Sequence, residues 1–332
     1  MSDFEAHTPD NIHLSKPTLT HAWDKPLNLQ LIANSVGTGR VDDFIRNSTA
    51  PNTKRAYTSD LAHFERWGGS VPASAEVVAS YLAVHADVLS VATLVRRLAS
   101  ISKAHETKAF PNPTRFELVR ATMRGIKRTR GRTQREARPL LRDDLLLVLD
   151  AMGVGLKATR DRALLLIGFA GGLRRSELVG LDVGDIEHMR QGIVLHIRRS
   201  KSDQEGQGQK IGIPYGRTRW CPVTALDAWI IASGITQGAV FRPVDRHGRI
   251  NDTRLSGEAV ALVVRERVAA AGFEPAQYSG HSLRAGLATS AAQAGVPTWS
   301  IKAQTRHASE AMLARYIRSG ELFTDNAAGA VL

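Results

Sequence analysis

The run from Lys127 to Arg138 decides how this chain can be built. Lys127-Arg128-Thr129-Arg130-Gly131-Arg132-Thr133-Gln134-Arg135-Glu136-Ala137-Arg138, ended by Pro139, has no apolar side chain except one alanine. Such a segment cannot bury enough surface to offset its own ordering entropy, so it reads as a linker rather than as part of a core. It divides the 332 residues into two parts, each able to form a domain on the usual scale of roughly 100–200 residues.

The linker is also where the charge peaks. The formal net charge is +12, and residues 51–138 alone contribute +9, against −2 for residues 1–50 and +5 for residues 139–332. A local excess of that size points to a polyanionic partner, nucleic acid above all. A cationic strap gains most from counterion release when it lies along phosphates. Lys127, Arg128, Arg130, Arg132, Arg135 and Arg138 are therefore candidate contacts to a DNA backbone. Other classes are excluded early. The single cysteine, Cys221, rules out an internal disulfide framework and any multi-cysteine metal site. Hydrophobic residues at 43% and charged residues at 23% argue against wholesale disorder. No apolar run approaches the roughly 18–20 residues of a membrane span. The first residues, MSDFEAHTPDNIHLSKP, have acidic side chains and no apolar stretch, unlike a secretory signal. The expectation is a cytoplasmic, nucleoid-associated protein with no membrane partner.

Hydrophobic spacing fills in the organisation. Residues 1–40 lack periodicity and read as a mobile N-terminal arm. Residues 41–127 are helical: Tyr57, Leu61, Phe64 and Trp67 recur at three and four, and Ser74 caps a helix carrying Val77, Val78, Tyr81 and Leu82. Leu94, Leu98 and Ile101 mark a third helix, and Thr114–Lys127 a fourth with Arg115, Arg120 and Arg124 on its outer side. Residues 128–138 form the linker. Beyond it, helices are expected at Leu140–Met152, Ala158–Ala170, Arg174–Val179, Val223–Ala232, Ser256–Ala271, Ser282–Ala294, Ser300–His307 and Ser309–Arg318. Gly192–Arg199 and Gln209–Pro214 alternate or are β-branched and predict a hairpin. The fold class is thus mainly α with a small antiparallel β-sheet.

Hydrolytic and metal templates fail: there is no GxxxxGK[ST], no HExxH and no GxSxG, and no metal or other cofactor is expected. What remains is a set of residues suited to a phosphate. His281 and Arg284 stand one turn apart where a helix begins, a place that favours anions. Arg174 follows Gly171-Gly172 at another helix start, with Glu177 three residues on. Lys201 sits at the mouth of the hairpin, and His307 lies nine residues before Tyr316. Each feature alone has a structural explanation: a surface arginine, a turn lysine, a core tyrosine.

Taken in order, the set resembles the tyrosine recombinases (the phage-integrase family). That family's pattern is a G-L-R-x-x-E-L arginine, a hairpin lysine, an H-x-x-R pair, a His or Trp, and a nucleophilic tyrosine about nine residues later. Here these fall on Arg174, Lys201, His281, Arg284, His307 and Tyr316. The resemblance covers residues 139–320 closely, which would be the catalytic domain, and extends to 41–127, which would be a helical, SAM-like core-binding domain. It implies a two-domain DNA clamp. It further implies cleavage through a 3′-phosphotyrosyl link to Tyr316, with Arg174 and Arg284 on the scissile phosphate, His281 as base, His307 donating to the phosphate, Lys201 protonating the leaving 5′-oxygen and Glu177 orienting a cation. Lys201 is preferred to Lys210 because it follows the first strand. The implied partners are double-stranded DNA with inverted-repeat half-sites and three further copies of the chain, with residues 321–332 as a tail that docks into a neighbour. The chain departs from the pattern where the family often has Leu-Gly before the third-position histidine; here Thr305-Arg306 stands. The rival readings are a type IB topoisomerase and a non-catalytic DNA-binding regulator derived from a recombinase.

Overall fold

Capping and apolar spacing set most of the helix boundaries in the computed structural model, which describes residues 40, 44, 48–131, 137–198, 208–307, 309–311, 313–314 and 316. The chain divides into two compact units between Gln134 and Arg135.

The first unit is helical. Pro51 opens α1 (Pro51–Trp67), where its fixed φ and missing N–H are tolerated. Ser74 caps α2 (Ala75–His85) by accepting from the Val77 amide, and Ser90 caps α3 (Val91–Thr107) by accepting from Thr93. Phe64, Val78, Tyr81, Leu82, Leu94 and Val119 are fully buried between these helices and α4 (Glu117–Arg130). Buried Asp60 ties α1 to α3, accepting from Arg96 Nε at 3.0 Å and from Ser100 Oγ at 2.9 Å.

The fourth helix differs from the expected Thr114–Lys127 at both ends. Asn112 accepts from the Thr114 amide and closes a 3-10 turn over Pro113–Arg115. Phe116 is then extended, so α4 starts at Glu117 and Phe116 is left 56% exposed. At the other end α4 continues through Arg130. Lys127, Arg128 and Arg130 belong to its last turn, where cations face the negative end of the helix dipole, and Arg130 pairs with Asp87 at 2.5 Å. They are therefore helical and exposed instead of standing in an irregular linker.

The second unit is helical around a three-stranded antiparallel sheet in the order β1-β2-β3. Its chain enters pinned: the Arg138 amide donates to the Gln277 carbonyl at 2.8 Å and the Leu140 amide to that of Ser282 at 2.9 Å. Then come α5 (Arg142–Asp150), α6 (Leu156–Ala170) and α7 (Arg175–Gly180). Strands β2 (Gly192–Ile197) and β3 (Gln209–Pro214) pair Ile193 with Ile213 and Leu195 with Ile211, all four buried. A further edge strand, β1 (Ile186–Met189), adds to the expected hairpin. Helices α8 (Pro222–Ser233), α9 (Gly257–Ala270), α10 (Ser282–Gln293) and α11 (Thr298–Thr305) follow. Helix α6 runs through the centre, buried on nearly all sides from Ala163 to Gly168. Its Asp161, inaccessible to solvent, accepts from Arg160 Nε and from Arg267 Nε of α9, each at 2.8 Å. After α11 the described residues 310–311, 313–314 and 316 are again helical. Among the described residues no helix is long and apolar enough to cross a membrane.

Candidate active site

Three stretches of the second unit meet around Glu177: the turn from α6 into α7, the start of α10, and the residues that end α11. The turn depends on Gly172, whose φ is +53°. A Cβ there would lie 3.0 Å from Leu287 Cδ2 and 3.2 Å from Thr305 Cγ2, so α10 and α11 approach because that position carries no side chain. The Gly172 carbonyl accepts from Arg284 Nη1 at 2.6 Å, which fixes the α10 guanidinium against the turn. Arg174 is the N-cap of α7. Its amide donates to Glu177 Oε2 at 2.9 Å, its Nη1 to Glu177 Oε1 at 2.5 Å, and its Nη2 to the Arg306 carbonyl at 3.0 Å.

Arg306 closes the ring from the other side, donating Nη2 to Glu177 Oε2 at 2.7 Å. It is the C-cap of α11, with φ 55° and ψ 45°. Ala109 and Arg306 are the non-glycine residues with positive φ among those described. Helices commonly end on glycine in this conformation, and a residue with a Cβ gives up about 1–2 kcal/mol to adopt it. Just before it, Thr305 Oγ1 donates to the Ile301 carbonyl at 2.6 Å and lies 2.8 Å from His307 Nδ1. A hydroxyl has one proton; with that proton spent on Ile301, Nδ1 is the donor in the second bond and Nε2 of neutral His307 carries the lone pair. The Tyr316 ring lies 5.6 Å from the His307 ring, centroid to centroid, at 39°. It packs on the small cluster of Ala288, Ala292, Ile301 and Leu313.

The electrostatics follow from burial and like charge. Burial, with Arg174 and Arg306 nearby, pushes Arg284 down to about 9 against the partial support of Glu177 and Tyr316. Burial also lowers Arg306, opposed by Glu177. His307 is pushed down to about 4 by burial and then by Arg284, Arg174 and Arg306, so it is neutral at pH 7. Arg284 Nη2 and Arg306 Nε and Nη1 are shielded from solvent and find no hydrogen-bond partner among the described residues. Arg174 and Arg306 share one carboxylate, Glu177, and Arg284 is held beside them by a backbone carbonyl, so the three guanidiniums, with donors to spare, form a cluster short of negative charge. The chemistry of such a cluster suits an anion.

Of the residues expected from the sequence, Arg174, Glu177, Arg284, His307 and Tyr316 come together. His281 is the N-cap of α10, one turn ahead of Arg284 and exposed, its amide donating to Ser279 Oγ at 3.1 Å. Lys201 lies outside the described residues, as do Arg132 and Arg135. Lys210 is exposed on β3 across from His196; the hydrogen bond from His196, and after it the charge of Lys210, hold Glu187 below its usual value. Arg138 is exposed and sits 5.7 Å from the Tyr278 ring centroid. Sequence reasoning missed Arg306 as a member of the cluster. Its signal was the departure from Leu-Gly at Thr305-Arg306, a large cation standing where a glycine is usual. Among the described residues no group of three His, Cys, Asp or Glu side chains is placed to hold a metal ion.

Comparison with known proteins defines the class. The phage integrase family model matches residues 139–321. The chain is 40% identical over 293 residues to an integrase/recombinase of Selenomonas ruminantium described as a XerD homolog, covering 85% of this chain and 86% of that protein. It is 26% identical over 245 residues to the recombinase Cre of Escherichia phage P1, covering 68% and 70%. In fold it is similar to XerH site-specific recombinase bound to palindromic difH substrate, with a TM-score of 0.58 at 17% identity over 84% of this chain and 78% of that one. A lambda integrase dimer bound to a COC' core site gives a TM-score of 0.57 at 16% identity, over 84% and 75%. The chain belongs to the phage integrase family and is a tyrosine-type site-specific recombinase.

Proposed function

We propose that this recombinase cleaves and rejoins double-stranded DNA through a 3′-phosphotyrosyl link to Tyr316, with neither metal nor ATP, in integration, excision or resolution of a mobile element. The observation that carries the reading is the cluster of half-buried Arg174 with buried Arg284 and His307, beside Tyr316 within one chain. A tyrosine hydroxyl has an ordinary pKa of about 10 and is a weak nucleophile at pH 7. It becomes competent where fixed cations stabilise the charge that builds on a phosphorane-like transition state. Arg174 and Arg284 supply that charge from positions locked by Glu177 and the Gly172 carbonyl.

In the proposed step the Tyr316 oxygen bonds to phosphorus and the bond to the 5′-oxygen breaks. The tyrosine proton passes to His281 and the departing oxygen takes one from Lys201. One phosphodiester is exchanged for another, so the reverse attack by a 5′-hydroxyl needs no outside energy. His307 enters neutral, with its lone pair on Nε2. Burial, and after it the three arginines, keep it deprotonated in the free protein; in this reading His307 contacts the phosphate, whose negative charge offsets the arginines' share of that effect. The wider assembly in this reading is a tetramer on two synapsed sites, each with inverted half-sites. Residues 41–127 and 139–320 lie on the duplex, and residues 128–138 strap its phosphates.

The test mixes the full chain with labelled DNA from around its own gene, in EDTA, on a denaturing gel, beside Tyr316→Phe. A covalent band in wild type alone is the expected result. A band in both would mean another nucleophile. Binding without a band in either would favour a regulator. A two-site recombination assay then separates recombination from relaxation by a topoisomerase.

A further inference from the structure

Arg306 has no counterpart in the family pattern, and its surroundings are those of a ligand contact. Its side chain is 8% exposed. One nitrogen, Nη2, is satisfied by Glu177; Nε and Nη1 are buried without a partner among the described residues, as is Arg284 Nη2 across the same pocket. A guanidinium has five N–H donors and is rarely buried with several unmet. Glu177 already serves Arg174 through both oxygens, so it cannot neutralise Arg174, Arg284 and Arg306 together. The residue also keeps a left-handed backbone that a glycine would adopt freely, which is what a retained functional side chain looks like.

We propose that Arg306 is a third phosphate-contacting guanidinium, donating from Nε or Nη1 to a non-bridging oxygen of the scissile phosphodiester alongside Arg284 Nη2. This rests on the reading of the pocket as the seat of that phosphate. It gives the site a cation beyond the family pair and assigns it a catalytic residue that touches the reacting group. The competing role is pure support, since Arg306 also props Glu177 with its side chain and Arg174 with its carbonyl.

Arg306→Gly, read on two substrates, separates the two roles. Glycine suits the left-handed backbone and keeps the carbonyl that Arg174 uses, while the cation and its bond to Glu177 are lost together. Single-turnover formation of the Tyr316 adduct is measured with the full chain on a nicked duplex carrying the mapped cleavage site. A second duplex has a methylphosphonate at the scissile position, which removes the charge of one non-bridging oxygen. On the phosphodiester, Arg306→Gly should lose on the order of 10²–10³-fold in single-turnover rate at saturating protein, the scale of deleting one transition-state donor. On the methylphosphonate the loss should shrink at least tenfold, because there is less charge to stabilise. Arg306→Lys, which retains the charge, should recover part of the phosphodiester rate and serves as the second variant if the glycine form melts early. Equal losses on both substrates, or no loss on either, would overturn the proposal and leave Arg306 a support. A wild type that forms no adduct on any substrate would overturn the phosphate reading itself, and this inference with it.

Discussion

Replacing Glu177 by alanine would leave two largely shielded guanidiniums, Arg174 and Arg306, with no carboxylate between them, and would remove the acceptor for the Arg174 amide at the start of α7. Breaking a buried ion pair from one side is strongly unfavourable, about 3–5 kcal/mol, so the urea midpoint should fall well below wild type. Glu177→Gln keeps an oxygen for the helix cap and should fall by less. His307 makes a different prediction. Its folded value of about 4 lies below its ordinary 6.5, so between those pH values the unfolded chain binds a proton that the folded chain refuses. Stability contributed by this residue is therefore fully present above pH 6.5 and is lost as pH falls toward 4, by at most about 1.4 kcal/mol per pH unit. His307→Gln should flatten that part of a melting temperature–pH curve. No flattening would mean that another group carries the acid sensitivity.

Gly286 sets how α10 docks against the chain entering the second unit. A Cβ at that position would fall 1.8 Å from the Leu140 carbonyl oxygen and 2.7 Å from its carbonyl carbon. Backbone cannot swing aside as a flexible side chain can, so Gly286→Ala has to displace the pinned segment at Arg138–Leu140 or shift α10, which carries Arg284. We expect roughly 2–3 kcal/mol of destabilisation, read from a denaturant midpoint, and a matching loss of Tyr316 adduct. Elements of this kind were unevenly legible. Helices with apolar residues every three or four positions and a serine cap, such as α2 and α3, stand out in the sequence, as does the β2–β3 pair. Strand β1 does not: four residues long, with Ile186 alone half-buried, it has no alternation to read. The break at Phe116 depends on Asn112 closing a turn that no hydrophobic pattern encodes. At the site, Arg174, Arg284, His307 and Tyr316 were legible because a known order and spacing tie them together. Arg306 was not, because its carboxylate partner Glu177 lies 129 residues away in the chain, and its donors become conspicuous only once that fold is formed.

At the scale of the whole molecule the net charge of +12 is concentrated in residues 51–138, and charge of that sign should set how strongly DNA is held. Lys127 and Arg128 are exposed on the last turn of α4. If Arg128 neutralises one phosphate, Arg128→Ala should weaken binding to all sequences alike and reduce the slope of log K against log salt by about 0.9. An unchanged slope would remove Arg128 from the interface.

Tyr316 lies beside His307 of its own chain, and that has a consequence in genetics. If a protomer carries both its nucleophile and its phosphate pocket, two defective alleles cannot rescue one another. Cells or reactions holding Tyr316→Phe and Arg174→Ala proteins together should form no adduct, because neither chain can lend the missing part. Restored cleavage in the mixture would mean that protomers exchange their tyrosines. If copies assemble on synapsed sites as proposed, either defective protein added in excess to wild type should act as a poison, occupying positions that it cannot serve.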